Sequence, residues 1–106
     1  PNNAYKHPAA VTVSAEVLNA TSVRLTWTVS PDRDFLWYKV YYLAGGTITD
    51  ETGTLARTES KQSTLSYDVT GLTAAEHAFA IYTWNTTSTS LNRSFGVSNT
   101  VTATPA

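Results

Sequence analysis

The chain has 106 residues, room for one domain and one core, and its 42% hydrophobic content supplies that core while its 14% charged content, well below the ~25% of an average soluble domain, argues against disorder. A formal net charge of −1 gives no field to hold a phosphate backbone or an anionic membrane, and no apolar run nears the ~20 residues that span a bilayer, so neither nucleic acid binding nor membrane insertion is expected. With no cysteine there is neither a disulfide framework nor a thiolate metal site, and the redox compartment is left open.

The start, Pro1-Asn2-Asn3-Ala4, has no initiator methionine and lacks the basic and apolar regions of a signal peptide, so it reads as the edge of a piece of a longer chain. Residues 1–7 read as an N-terminal linker and 8–106 as one domain. Along that domain apolar residues recur at every second position, the period of a half-buried strand. Val11 with Val13 comes first, then Val23, Leu25 and Trp27, then Tyr38, Val40 and Tyr42. Leu65, Tyr67 and Val69 follow, then Phe79 with Ile81, and finally Val97, Val101 and Ala103. Allowing one weak strand in the middle, about seven short strands are expected.

The breaks have turn chemistry: Leu18-Asn19-Ala20, Ser30-Pro31-Asp32, Ala44-Gly45-Gly46, Glu51-Thr52-Gly53 and Thr70-Gly71. Leu72 to Ala80 contains three alanines but runs directly into an alternating strand, and reads as a corner followed by that strand. Abundant threonine, a β-branched residue, suits the solvent face of a sheet.

Candidate chemistry is sparse. His7 lies in the linker, and Glu76 beside His77 on a strand points to the opposite face, so the pair is no dyad. Asp32-Arg33-Asp34 offers too few oxygens for calcium and reads as a polar turn. Asn19-Ala20-Thr21, Asn85-Thr86-Thr87 and Asn92-Arg93-Ser94 match N-glycosylation acceptors, a match that chance supplies easily in a chain this rich in Thr and Ser. No Arg-Gly-Asp triplet occurs.

Four segments in order resemble the fibronectin type III family over nearly the whole chain, Pro8 to Pro105. Ser22 to Trp27 is similar to its second strand with the core tryptophan, and Tyr38-Lys39-Val40-Tyr41-Tyr42 to its third. Ser66 to Leu72 is similar to its fifth strand and leucine corner, and Ser98 to Thr104 to its last. His77 stands where the family places a corner tyrosine, and Trp37 where a glycine is common.

The resemblance implies an all-β, seven-stranded antiparallel β-sandwich of immunoglobulin-like form, with Trp27 packed against Tyr38, Val40, Leu72 and Ile81. His77 is expected to bond through a ring nitrogen to backbone shortly upstream. The resemblance further implies a non-catalytic spacer or scaffold module, with no cofactor and no metal, among neighbouring domains of a secreted or cell-surface protein. The Thr100 to Thr104 ending resembles modules of bacterial secreted glycan-degrading enzymes and surface proteins.

The alternative is a binding module. With Tyr38, Val40 and Tyr42 inward, Trp37, Lys39 and Tyr41 point outward; with His77, Phe79, Ile81 and Thr83 inward, Ala78, Ala80, Tyr82 and Trp84 do the same. The two strands are sheet neighbours in the family. Trp37, Tyr41, Tyr82 and Trp84 would then form one exposed aromatic face for a protein neighbour or a glycan.

Overall fold

A computed structural model of the chain describes residues 9–45, 48, 53–86 and 96–106. The linker 1–7 with His7, and the Asn92 sequon, lie outside the described residues. The first two strands, β1 (Val13–Asn19) and β2 (Ser22–Trp27), form a hairpin in which Val13 faces Trp27, Ala15 faces Leu25 and Val17 faces Val23. β5 (Ser66–Val69) adds to the other edge of β2, with Tyr67 opposite Leu25 and Val69 opposite Val23. Because side chains alternate, this register gathers Val13, Val23, Leu25, Trp27 and Val69 on one face, and all are buried there.

The larger sheet has the order β4-β3-β6-β7, built on the pairing of β3 (Phe35–Ala44) with β6 (His77–Asn85). Its inner face brings Tyr38, Val40, Phe79 and Ile81 onto the small sheet's apolar face, with Leu72 closing the corner. Trp27 meets Tyr38 edge-on at 5.4 Å between ring centroids. Gly71 takes φ +72°, the left-handed conformation that favours glycine after a strand, and the Leu72 N–H then bonds to the Thr21 carbonyl at 2.9 Å. Leu72 to Glu76 is a corner without helix, as expected.

The weak middle strand is β4 (Thr54–Glu59), which pairs with the edge of β3. Gly53 leads into it, and a Cβ at that position would collide with the Tyr42 carbonyl oxygen. The register skips Ala56 between Leu55 opposite Tyr41 and Arg57 opposite Val40. This bulge breaks the period of two, so no alternation marks the strand in the sequence.

The final strand corrects the expectation of a continuous Val97 to Ala103. It is divided into β7 (Gly96–Val97) and β8 (Val101–Ala103), both pairing with β6, so the seven expected strands occupy eight segments. Val97 opposes Tyr82 and Val101 opposes Phe79, one residue out of step, so Val97 leaves the core side and is exposed. The break is filled by side chains. Ser98 Oγ accepts the Ile81 N–H at 2.8 Å, while Asn99 Oδ1 accepts the Val13 N–H at 2.9 Å and its Nδ2 donates to the Val13 carbonyl at 3.0 Å. Asn99 thereby fastens the edge of one sheet to the other.

Candidate functional site

Alternation along β3 and β6 places the expected aromatic residues on the outer face of the larger sheet. Trp37 sits opposite Trp84, and Lys39 opposite Tyr82 with Tyr41 on the diagonal. Trp37 and Trp84 have centroids 6.0 Å apart, Tyr41 and Tyr82 meet edge-on at 5.4 Å, and Lys39 Nζ lies 4.4 Å from the Trp84 ring centroid and 5.9 Å from that of Trp37. The four rings therefore share one face.

The expected exposure of that face needs correction. Tyr41 is 8% exposed, Tyr82 0% and Trp84 6%, and with Ile48, Ala78 and Ala80 they form a second buried cluster against which Leu36, Leu43 and the half-buried Trp37 pack. Leu36 reaches this face because the β3 register skips it between Phe35 and Trp37, a bulge that turns it to the side of Trp37. Of the loop Thr86 to Ser94, residues 87–94 lie outside the described residues. Lys39, which is described, lies over two of the rings.

A second cluster, not anticipated from the sequence, occupies the end of the sandwich where residue 9 enters. Asp32 is only 3% exposed, unlike a solvated turn residue. Its Oδ2 accepts from the Ala9 N–H and from Asn85 Nδ2, both at 3.3 Å, and its Oδ1 is buried with no hydrogen-bond partner among the described residues. Gln62 Nε2 donates to the carbonyls of Ser30 and Asp32 at 2.7 and 2.8 Å. The Tyr38 hydroxyl accepts the Ser30 N–H at 2.9 Å and donates to the Gln62 carbonyl at 2.8 Å. Burial, the largest cause, pushes the Tyr38 phenol pKa up; the Ser30 N–H opposes this and the Asp32 charge adds to it. Ser30-Pro31-Asp32 was legible as a turn, but its partners are far away in sequence.

The outer face of the small sheet is polar. Arg24 and Asp68, opposite one another in β2 and β5, form a two-pronged ion pair at 2.8 and 3.2 Å beside an open groove of about 610 Å³ lined also by Thr26, Leu65, Ser66 and Tyr67. The Arg24 hydrogen bond is the first cause holding the Asp68 carboxyl below its ordinary range. Both side chains are exposed, so the pair contributes little to stability.

His77 is buried, with Nδ1 2.6 Å from the Ala75 carbonyl oxygen and its ring against Tyr42 and Phe79. It ties the corner to upstream backbone, as expected of a residue in the tyrosine's place. Glu76 is exposed, and its carbonyl accepts the Gly45 N–H at 2.9 Å. Among the described residues no group of three or more His, Cys, Asp or Glu could hold a metal ion.

Two antiparallel sheets packed through one aromatic and aliphatic core define an immunoglobulin-like sandwich. No family model matches the sequence, and no curated protein matches it. Solved structures do. The FN1–FN3 domains of chicken CNTN1 match over 95% of this chain and 32% of theirs, with a TM-score of 0.71 and 16% identity. The sixth fibronectin type III domain of human fibronectin type III domain containing protein 3 matches over 98% of this chain and 91% of its own, with a TM-score of 0.69 and 17% identity. Pectate lyase PelI from Erwinia chrysanthemi, in complex with tetragalacturonic acid, matches over 90% and 28%, with a TM-score of 0.67 and 16% identity. The fold is that of a fibronectin type III domain. The chain spans about a third of the CNTN1 structure and less of the pectate lyase, where the fold is one part of a longer protein.

Proposed function

We propose that this chain is a non-catalytic spacer or scaffold module of a larger extracellular protein, holding neighbouring domains of the same chain at a set distance. The observation that carries the reading is the burial of β6 at every one of its nine positions, with a core cluster on each face of the sheet it centres. A strand packed on both faces gives a block that transmits position without bending, because close-packed interiors are stiff. The chain is also held near both described ends, at Ala9 by Asp32 and at Pro105 by full burial. The company the fold keeps supports placing the module in a secreted or cell-surface protein. It occurs within pectate lyase PelI and within the Clostridium perfringens spore cortex lytic enzyme SleM. On this reading a bacterial glycan-degrading parent is a candidate host, and the chemistry belongs to another domain.

The test is to splice the chain between two folded reporter proteins and measure the distance between them by pulsed electron resonance, beside a Gly/Ser linker of equal span. A narrow distribution is expected for the module and a broad one for the linker. Equally broad distributions, or turnover of a glycan by the isolated chain, would reject the reading.

The binding alternative, in which Trp37, Tyr41, Tyr82 and Trp84 take a protein neighbour or a glycan, draws support only at one margin. Trp37 and Lys39 are half-buried, as are Leu36 and Leu43 beside the buried cluster.

A further inference from the structure

Three N-glycosylation sequons occur in the sequence, and the fold treats the two whose asparagines are described in opposite ways. Asn19 stands exposed at the tip of the β1–β2 hairpin. Its Oδ1 accepts the Thr21 N–H at 2.9 Å and the Thr21 hydroxyl at 3.2 Å, so the carboxamide is held by its oxygen. Nδ2, the atom that would carry a sugar, takes no part in these bonds. Around it Val17 and Leu18 are 40% and 37% exposed, leaving open, partly apolar surface beside the acceptor.

Asn85 is the reverse. It is fully buried at the end of β6, its Nδ2 donates to Asp32 Oδ2 at 3.3 Å, and the sequon's next residue, Thr86, has its hydroxyl on Asp34 Oδ2 at 2.7 Å. A glycan on that nitrogen would have to occupy space that the packed end of the sandwich already fills. A chain so modified could not complete this fold.

We infer that Asn19 is the acceptor for an N-linked oligosaccharide when the chain passes through a eukaryotic secretory lumen, and that Asn85 in the folded product is not. The donor class is a lipid-pyrophosphate-linked oligosaccharide, transferred by the host's enzyme. Asn19 Nδ2 forms a bond to the anomeric carbon, the bond from that carbon to the pyrophosphate oxygen breaks, the pyrophosphate leaves with the electron pair, and Nδ2 gives up one proton. The sequon requires a hydroxyl two residues on, and Thr21 provides it already in contact with the carboxamide. This inference is independent of the spacer reading.

The experiment is secretion of the full chain, behind an added signal sequence, from cultured mammalian cells, followed by glycopeptide mass spectrometry with and without peptide N-glycosidase. The expected result is oligosaccharide on the peptide containing Asn19 and none on that containing Asn85. Asn19→Gln and Thr21→Ala should each abolish the Asn19 glycan. Both positions are exposed in a turn, and circular dichroism with an unchanged melting curve would confirm that the variants fold. Secreted, folded parent protein with bare Asn19, or with oligosaccharide on Asn85, would overturn the inference.

Discussion

Tyr38 is the residue in which core packing and the polar end of the sandwich meet. Its ring packs against Trp27 and Phe35, while its hydroxyl joins the Ser30 N–H to the Gln62 carbonyl. Tyr38→Phe keeps the ring and strands both partners, one of them on a residue that is almost wholly buried. A loss of about 1–3 kcal/mol is expected in urea unfolding, the cost of unsatisfied buried polar groups. Alkaline pH adds a second readout. The folded state holds the phenol proton more tightly than the unfolded chain, so this contribution is fully present below the ordinary tyrosine pKa of about 10 and is lost as pH rises through the raised folded value. The variant should therefore lose less stability than the parent over that range, and equal alkaline losses would count against the assigned bonds. The ring's place in the core was legible from the Tyr-x-Val-x-Tyr alternation. Its hydroxyl partners were not, because Ser30 and Gln62 lie in separate turns that only the closed fold brings together. The same distance hid Asp32, whose partners Ala9 and Asn85 are 23 and 53 residues away.

At the scale of elements, alternation gave the correct facing of β3 and β6 because each lies between two sheet neighbours that fix its pleat. It failed where an extra residue enters a strand, at Leu36, at Ala56 and between Val97 and Val101, since each shift changes which side chains face the core. The last of these has a structural use. An edge strand such as β1 presents unpaired backbone groups, and at Val13 the Asn99 carboxamide supplies both the acceptor and the donor that a neighbouring strand would. Asn99→Ala is expected to lower stability by about 1–3 kcal/mol and to speed amide exchange at Val13 by more than at Leu25, whose place between β1 and β5 is unchanged. Asn99→Asp, which retains only the acceptor, should fall between parent and alanine variant. Unchanged exchange at Val13 in the alanine variant would show that the link between the sheets lies elsewhere.

For the whole molecule, a second buried cluster on the outer face of the larger sheet turns a two-layer sandwich into one with packing on both sides of β6. The sequence revealed which rings share that face, but the period of two states only where a side chain points and carries no information on what lies over it. A contiguous exposed patch of Trp and Tyr would have marked an interface, whereas a covered one belongs to the stability of the module. The two readings make opposite demands on one variant, Trp37→Ser with Trp84→Ser. Removing two large rings from a packed cluster costs several kcal/mol, each large aromatic truncation in a core being worth about 3–5. The decisive measurement is the melting temperature of this double variant, taken together with sedimentation and titration against a glycan panel. The expected result is a large fall in melting temperature with no change in association or binding. Retention of the parent's melting temperature, with self-association or glycan binding lost, would contradict the closed face and the proposed spacer function built on it.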